Sequence, residues 1–344
     1  MQKNQLKFIF EKRLKALSLF ILLMILIVII KFFYIQIIQH NYFEKKSNNN
    51  SVKVVPIPPA RGIIFDRNKR ILAENKITHN LEIDPSKKID IEKITNELNP
   101  FVSITKNDLA QYQRIIKNNY FSSTIPIKTD LTKKELARFL TNKYLFNNIS
   151  LKTRLKRHYQ HKELTSHVVG YINRINQKDI KLLTKNKRLS LYRGSDHIGK
   201  RGIEQRYENL IHGIPGFKKI EVDAKGNIIR TLEKKEPIHG QDIQLSIDIE
   251  LQKKAVDAFG ERKGALVALS PHNGEILAYV SQPYFNPNLF VNGIDHKNWN
   301  ILNTNKARPL LDRVTKGLYP PGSTIKPFIA IAGLENNLRV PPFQ

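Results

Sequence analysis

The 344-residue sequence contains no cysteine, only two methionines and one tryptophan. Without cysteine there can be no disulfide, no thiolate zinc site and no thiol nucleophile. That absence fits either side of a membrane. Acidic residues are scarce: 30 Asp and Glu stand against 57 Lys and Arg, a formal net charge of +27. Also lacking are internal repeats and any second long apolar run after the one near the N-terminus. What is present is enough apolar sequence, 41 %, to build real cores, which excludes a disordered polycation. The length suggests two or three domains.

The basic excess invites a nucleic-acid reading. The lysines, however, are spread along the whole chain and travel with abundant Ile and Asn, as in Asn48-Asn49-Asn50. That trio points to drift toward AT-rich codons, which raises charge without selecting a ligand. No nucleic-acid partner is therefore expected; a basic polymer-binding module remains as a competing reading.

From Ala16 to Ile30 no residue is charged, and apolar character resumes after Lys31 as far as Ile38. Roughly 20 apolar residues span a bilayer as a helix. Lys31 can snorkel, and Phe32, Phe33 and Tyr34 suit the interface. Lys3, Lys7, Lys12, Arg13 and Lys15 precede the run against one acid, Glu11. This asymmetry places residues 1–15 in the cytoplasm as a basic tail and the rest outside. No small-x-small cleavage site follows, so residues 16–38 read as an uncleaved, single-pass signal anchor.

The polar and proline-marked stretch 47–60 reads as a stalk, with a strand expected over Ser51–Ile57 and a short apolar run at Ile63–Phe65. Leu131–Leu140 predicts a helix with a Thr cap and a nearby acid. Glu204–Leu210 predicts another, stopping near Gly213. A boundary falls at Glu233–Gly240. Beyond it, Asp242–Asp248 alternates with period 2, a half-buried strand, and Ile249–Phe259 predicts a helix ended by Gly260. Gly264–Leu269 and Glu275–Val280 flank an Asn273-Gly274 turn, a strong hairpin signal.

The chemistry concentrates in Tyr319-Pro320-Pro321-Gly322-Ser323-Thr324-Ile325-Lys326-Pro327-Phe328. Ser323 and Lys326, three apart, share one helical face. Pro327 is tolerable only in a first turn. Ile325, Phe328, Ile329 and Ala332 then recur as a stripe expected to be buried. Burial and the helix N-terminus would both lower the lysine pKa, and a neutral amine beside a hydroxyl can activate a serine nucleophile.

This block resembles the active-site Ser-x-x-Lys element of the penicillin-binding proteins, serine acyl-transferases of peptidoglycan synthesis. Further segments agree in order. Arg61-Gly62-Ile63-Ile64-Phe65-Asp66-Arg67-Asn68, His167-Val168-Val169-Gly170-Tyr171 and Gly199–Glu208 resemble pedestal blocks of class B members. Gly264–Phe290, with Ser281-Gln282-Pro283 and Asn286-Pro287-Asn288, resembles the first transpeptidase hairpin. The short anchor and the wording of Asn288–Ile294 point to the elongation-specific branch.

The resemblance implies an α+β multidomain protein. Residues 16–38 would be the transmembrane anchor and residues 39–236 an α/β pedestal of the dimerisation type. Residues 237–344 would begin a transpeptidase domain of antiparallel sheet and helices. It implies Ser323 as nucleophile and Lys326 as general base, with no cofactor and no metal. The implied partners are stem peptides ending in D-Ala-D-Ala, β-lactams, the membrane, a SEDS-type glycosyltransferase and the elongation machinery. The implied place is the inner membrane with a periplasmic body.

The family also carries Ser-x-Asn and Lys-x-Gly blocks downstream of the nucleophile, and neither follows Ser323 before Gln344. A C-terminally truncated domain is therefore expected, with exposed edges and an unburied helix face. The alternative to an enzyme is a remnant acting as a membrane-anchored scaffold for a glycosyltransferase. Two smaller departures are Lys69, where the family often has Gly, suggesting a less tight turn, and Asp312, where it often has Asn. His158-x-x-His161 lacks a third metal ligand. Arg154–His158 reads as a solvated basic strand, and Glu204 as a structural acid of the pedestal.

Overall fold

A computed structural model describes residues 2–40, 52–83, 90–118, 124–146, 148–223 and 228–336. The polar run Asn48–Asn50 and the end of the chain after Asn336 lie outside them. Among the described residues the strands are β1 (Val52–Ile57), β2 (Ile64–Phe65), β3 (Ile71–Ile83), β4 (Ile125–Lys128), β5 (Ile149–Tyr159), β6 (Tyr171–Arg174), β7 (His197–Arg201), β8 (Gly216–Val222), β9 (Ile228–Lys235), β10 (Ile243–Gln244), β11 (Gly264–Leu269) and β12 (Ile276–Gln282).

The chain divides into two compact units. The first holds residues 1–57 and 216–236. Its N-terminal part is one helix, Gln2–Phe33, continued by a wider turn at Tyr34–Ile38. Within it Leu17–Ile38 is 22 residues of mean hydropathy 2.8 with nothing buried. At 1.5 Å per residue this run is about 33 Å long, matching the hydrocarbon thickness of a bilayer. Lys31 Nζ lies 5.5 Å from the Tyr34 ring centre, so the one cation of the run is met by an aromatic face. The rest of this unit is an antiparallel sheet in the order β1-β8-β9, tied across by Lys219–Glu233 at 2.5 Å and Arg230–Glu221 at 2.6 Å.

The second unit holds residues 58–215 and 237–344. Its spine is the antiparallel pair of the long β3 and β5, in continuous register from Ala73↔Tyr159 to Ile83↔Ile149. Strands β2 and β10 extend the sheet at one end and β4 at the other. At the β4 end, Leu81, Ile83, Ile125, Ile127, Phe139 and Ile149 form a core under helices 91–98, 106–118 and 133–141. At the other end Ile64, Leu72, Tyr159, Val169, Ile211 and Ile249 form a second core.

Local chemistry sets the boundaries. Thr132 and Glu135 make a reciprocal capping box for the helix Lys133–Thr141, and Asn176 and Asp179 make another for Gln177–Lys185. Asp248 accepts from the Glu250 and Leu251 amides to start Ile249–Phe259, which Gly260 ends at φ +61°. The β11–β12 hairpin forms as the Asn-Gly turn requires.

Three expectations are corrected. The turn after Asp66 stays tight despite Lys69: its side chain takes the Asn68 and Arg70 amides at 2.8 and 2.7 Å, and Lys69 is forced to φ +62°. The stretch Asp242–Asp248 keeps its alternating burial, but only Ile243–Gln244 pairs as strand, parallel to β2. The chain then turns into the helix that Asp248 caps. Finally, β5 is not uniformly solvated, because Arg157 is 2 % exposed and carries a buried ion pair.

Candidate active site

The buried polar centre of the second unit belongs to the pedestal blocks. Glu204 is fully buried; one carboxylate oxygen accepts Arg61 Nε at 2.7 Å and the other accepts Arg157 Nε at 2.7 Å. Arg61 also grips Glu208 at 2.5 Å, and the Tyr159 and Tyr192 hydroxyls donate to Glu204 and Glu208 at 3.3 and 2.9 Å. Burial works against the Arg61 cation, but the two carboxylates outweigh it and hold its pKa up. Burial likewise opposes the Glu204 anion, and the two guanidiniums outweigh it and hold its pKa down. The charges are matched and Glu204 is fully buried, so the cluster joins β5, the 202–211 helices and the Arg61 block. Its role is cohesion, as the sequence reading of Glu204 held.

Two glycines explain why these blocks close on one another. Gly170 (φ +75°) and Gly202 (φ +62°) stand back to back. A Cβ on Gly170 would lie 1.9 Å from the Arg201 carbonyl oxygen, and one on Gly202 would lie 2.5 Å from that of Val168.

The segment that carries Ser323 is held from the hairpin. In helix 249–259, Gln252 is buried and pairs with the strand edge like a backbone group. It accepts the Tyr279 amide at 2.7 Å and donates to the Tyr279 carbonyl at 2.7 Å and the Leu164 carbonyl at 2.8 Å. Ser281 Oγ donates to the Leu311 carbonyl at 3.2 Å and accepts the Arg313 amide at 2.9 Å. Tyr279 donates to Asp312 at 2.6 Å. Burial, then Asp312, raises the Tyr279 pKa, so the phenol keeps its proton. Asp312 also caps the short helix Arg313–Lys316 through the Val314 amide at 3.1 Å and the Thr315 hydroxyl at 2.7 Å. Those bonds give Asp312 its role, which spacing alone could not reveal.

The chain then runs through Leu318–Pro321 into a tight turn, Gly322–Ile325, and the helix Lys326–Glu335. The Lys326 amide donates to the Ser323 carbonyl, so the two residues stand one turn apart at the head of the helix. Thr324 Oγ1 closes the turn on the Pro321 carbonyl. Pro327 sits in the first turn, as required. The burial expected from the stripe is corrected, and the unburied helix face expected of an incomplete domain is what is seen. Ile325, Phe328 and Ile329 are exposed, Phe328 at 71 %, and Ser323 and Lys326 are exposed as well. An apolar stripe is buried only where another element covers it, and no described residue does so here. A cavity of about 1000 Å³ lies elsewhere, lined by His167, Arg201, Tyr207, Tyr279, Asp312 and Lys316 among others, without Ser323. His158 ends up near the close of β5 opposite Glu74, with His161 beyond the strand. Among the described residues no group of three His, Asp or Glu is arranged to hold a metal.

Comparison with known proteins identifies the domains. Residues 56–245 match the penicillin-binding protein dimerisation domain, and residues 264–342 match the penicillin-binding protein transpeptidase domain. The chain therefore belongs to the penicillin-binding protein family. It is 41 % identical over 295 residues to the peptidoglycan D,D-transpeptidase MrdA of Acinetobacter baumannii, covering 86 % of this chain and 43 % of that protein. To MrdA of Haemophilus influenzae it is 35 % identical over 333 residues, covering 97 % and 51 %. Among solved structures it resembles PBP2 of Helicobacter pylori in complex with MreC. That match has a TM-score of 0.74 at 29 % identity over 85 % of this chain and 54 % of that one. It also resembles Pseudomonas aeruginosa PBP2, with a TM-score of 0.53 at 35 % identity over 85 % and 43 %. The chain spans about half the length of the curated relatives it matches.

Proposed function

We propose that this chain is the anchor, pedestal and leading part of the transpeptidase domain of a peptidoglycan D,D-transpeptidase that serves cell elongation and shape. The observation carrying the proposal is the turn in which the Lys326 amide binds the Ser323 carbonyl at the head of a helix, within the segment matched to the transpeptidase domain. In this reading Ser323 Oγ attacks the carbonyl carbon of the penultimate D-Ala, and Lys326 serves as the general base for the hydroxyl proton. The peptide bond breaks, terminal D-Ala leaves with a proton, and an acyl-serine ester remains. An amine of a neighbouring stem peptide then displaces Ser323 and forms the cross-link. β-Lactams would acylate the same oxygen.

The domains follow the same reading: a cytoplasmic tail over residues 1–15, an anchor over 16–38, the pedestal over 39–236 and the transpeptidase start over 237–344. The apolar helix Leu17–Ile38 and the lysines before it support an inner-membrane protein with its body in the periplasm. The MreC complex of the Helicobacter pylori relative supports elongation proteins as partners. A glycosyltransferase of the SEDS type completes the set. The alternative reading is a membrane-anchored scaffold without acyl transfer.

A fluorescent β-lactam separates the two. Covalent labelling of the protein in its native membrane, lost in Ser323→Ala, is expected of the enzyme. An unlabelled wild type would leave the scaffold.

A further inference from the structure

The segment that delivers Ser323 is gripped from two directions. From the hairpin come Tyr279 and Ser281, as described. From the pedestal comes Arg201, whose Nη1 donates to the Leu310 carbonyl at 2.6 Å. His167 of the pedestal also faces this segment, against the Pro309 backbone and the Asp312 carboxylate, with its ring edge on Phe285. Inside the segment the Arg313 guanidinium donates to the carbonyls of Ala307 at 2.5 Å and Arg308 at 3.1 Å, so residues 307–313 form a knot rather than a loose loop.

Arg201 is well placed to transmit position. Its backbone pairs with Tyr171 across β6–β7, and its carbonyl is the group packed against Gly170. The pedestal therefore fixes where the Arg201 stem starts. Beyond Gly317 the grip ends. Between Leu318 and Ile325 no hydrogen bond to another element is made among the described residues. The knot is thus the last hold ahead of the nucleophile.

We propose that Arg201 is a positioning residue: by holding the Leu310 carbonyl it ties the pedestal to the segment bearing Ser323 and sets where that serine stands. The proposal rests on the acyl-transfer reading, and it adds a route by which movement of the pedestal reaches the nucleophile. The tie is a single bond from an exposed side chain, so it can be broken without unfolding the protein.

The test compares wild type, Arg201→Ala and Arg201→Lys in the full membrane-anchored protein, by hydrogen exchange and by the second-order rate of acylation with a fluorescent β-lactam. Arg201→Ala is expected to speed exchange at residues 307–317 selectively and to slow acylation about tenfold, the scale set by small misplacements of reacting groups. Its melting temperature should stay unchanged. Arg201→Lys, which keeps one donor, should restore most of the rate. Unchanged acylation in Arg201→Ala overturns the proposal even if exchange rises. A general rise in exchange with a lower melting temperature also overturns it, since Arg201 would then be merely structural. If the wild type is not acylated, the enzymatic reading fails on its own. Exchange at 307–317 then decides the tie: selective acceleration keeps it and no change removes it.

Discussion

Glu204 accepts the Arg157 Nε hydrogen at 2.7 Å with both side chains shielded from water. Its other oxygen takes Arg61, so one carboxylate joins β5 to the block that opens the pedestal. Removing one partner of a buried pair leaves the remaining charges uncompensated, a loss of about 3 to 5 kcal/mol. Glu204→Gln is therefore expected to lower unfolding free energy by about that amount in a urea titration. A loss below about 1 kcal/mol would place the cluster with ordinary surface pairs and contradict its role in cohesion.

Lys69 gives the opposite sign. It holds φ +62° in a turn closed by its own amide on the Asp66 carbonyl at 3.1 Å. A left-handed conformation costs a residue with a Cβ roughly 1 to 2 kcal/mol, and glycine gives back about half of that in unfolded-state entropy. Lys69→Gly should therefore stabilise the protein by about 0.5 to 1 kcal/mol, read as a raised melting temperature. A lowered one would mean that the lysine makes an interaction outweighing its backbone strain.

Much of the fold was legible because local chemistry settled it. The Thr132–Glu135 cap, the Gly260 stop and the Asn273-Gly274 hairpin each depend on residues close in sequence. The expected one-turn spacing of Ser323 and Lys326 is likewise a local matter. What spacing could not show depends on distant contacts. Asp312 stood out only as an unusual residue, and its bond to Tyr279 had no signal in the sequence. Gln252 had a faint one, a polar residue on the stripe shared with Ile249 and Val256. The stripe at Ile325 and Phe328 was readable as a pattern, but whether it is buried depends on what covers it. Lys69 shows the limit of residue preference: Asp66 dictates the turn and the lysine yields.

Gly202→Ala probes the closeness of the pedestal blocks. The new methyl would lie 2.5 Å from the Val168 carbonyl oxygen and 2.7 Å from the Gly170 nitrogen, both rigid backbone. At φ +62° it would be strained even in open space. A loss of more than about 2 kcal/mol is expected, with faster exchange at residues 166–174. A variant as stable as wild type would show that the two turns can separate without cost.

Histidine burial makes stability depend on pH. His167 is pushed down to about 4 by burial, with Asp312 opposing that and Arg201 and Arg313 adding to it. His197 is pushed to about 3, again by burial first and then by Arg174. An unfolded histidine titrates near 6.5, so between pH 6.5 and 4 the unfolded chain binds protons that the folded chain refuses. More protons bound by the unfolded state means that stability rises with pH. The contribution is fully present above pH 6.5 and is lost progressively as pH falls toward 4. Glu204, held below its usual 4.5 against burial by Arg61 and Arg157, acts with the same sign but only at more acid pH. Urea titrations at pH 7.5, 6.0 and 5.0 should therefore show falling stability. His167→Asn, which cannot take the proton, should flatten that slope in part. An unaltered slope would mean that His167 is protonated in the folded protein at pH 5, which its burial, edge-to-face with Phe285, argues against.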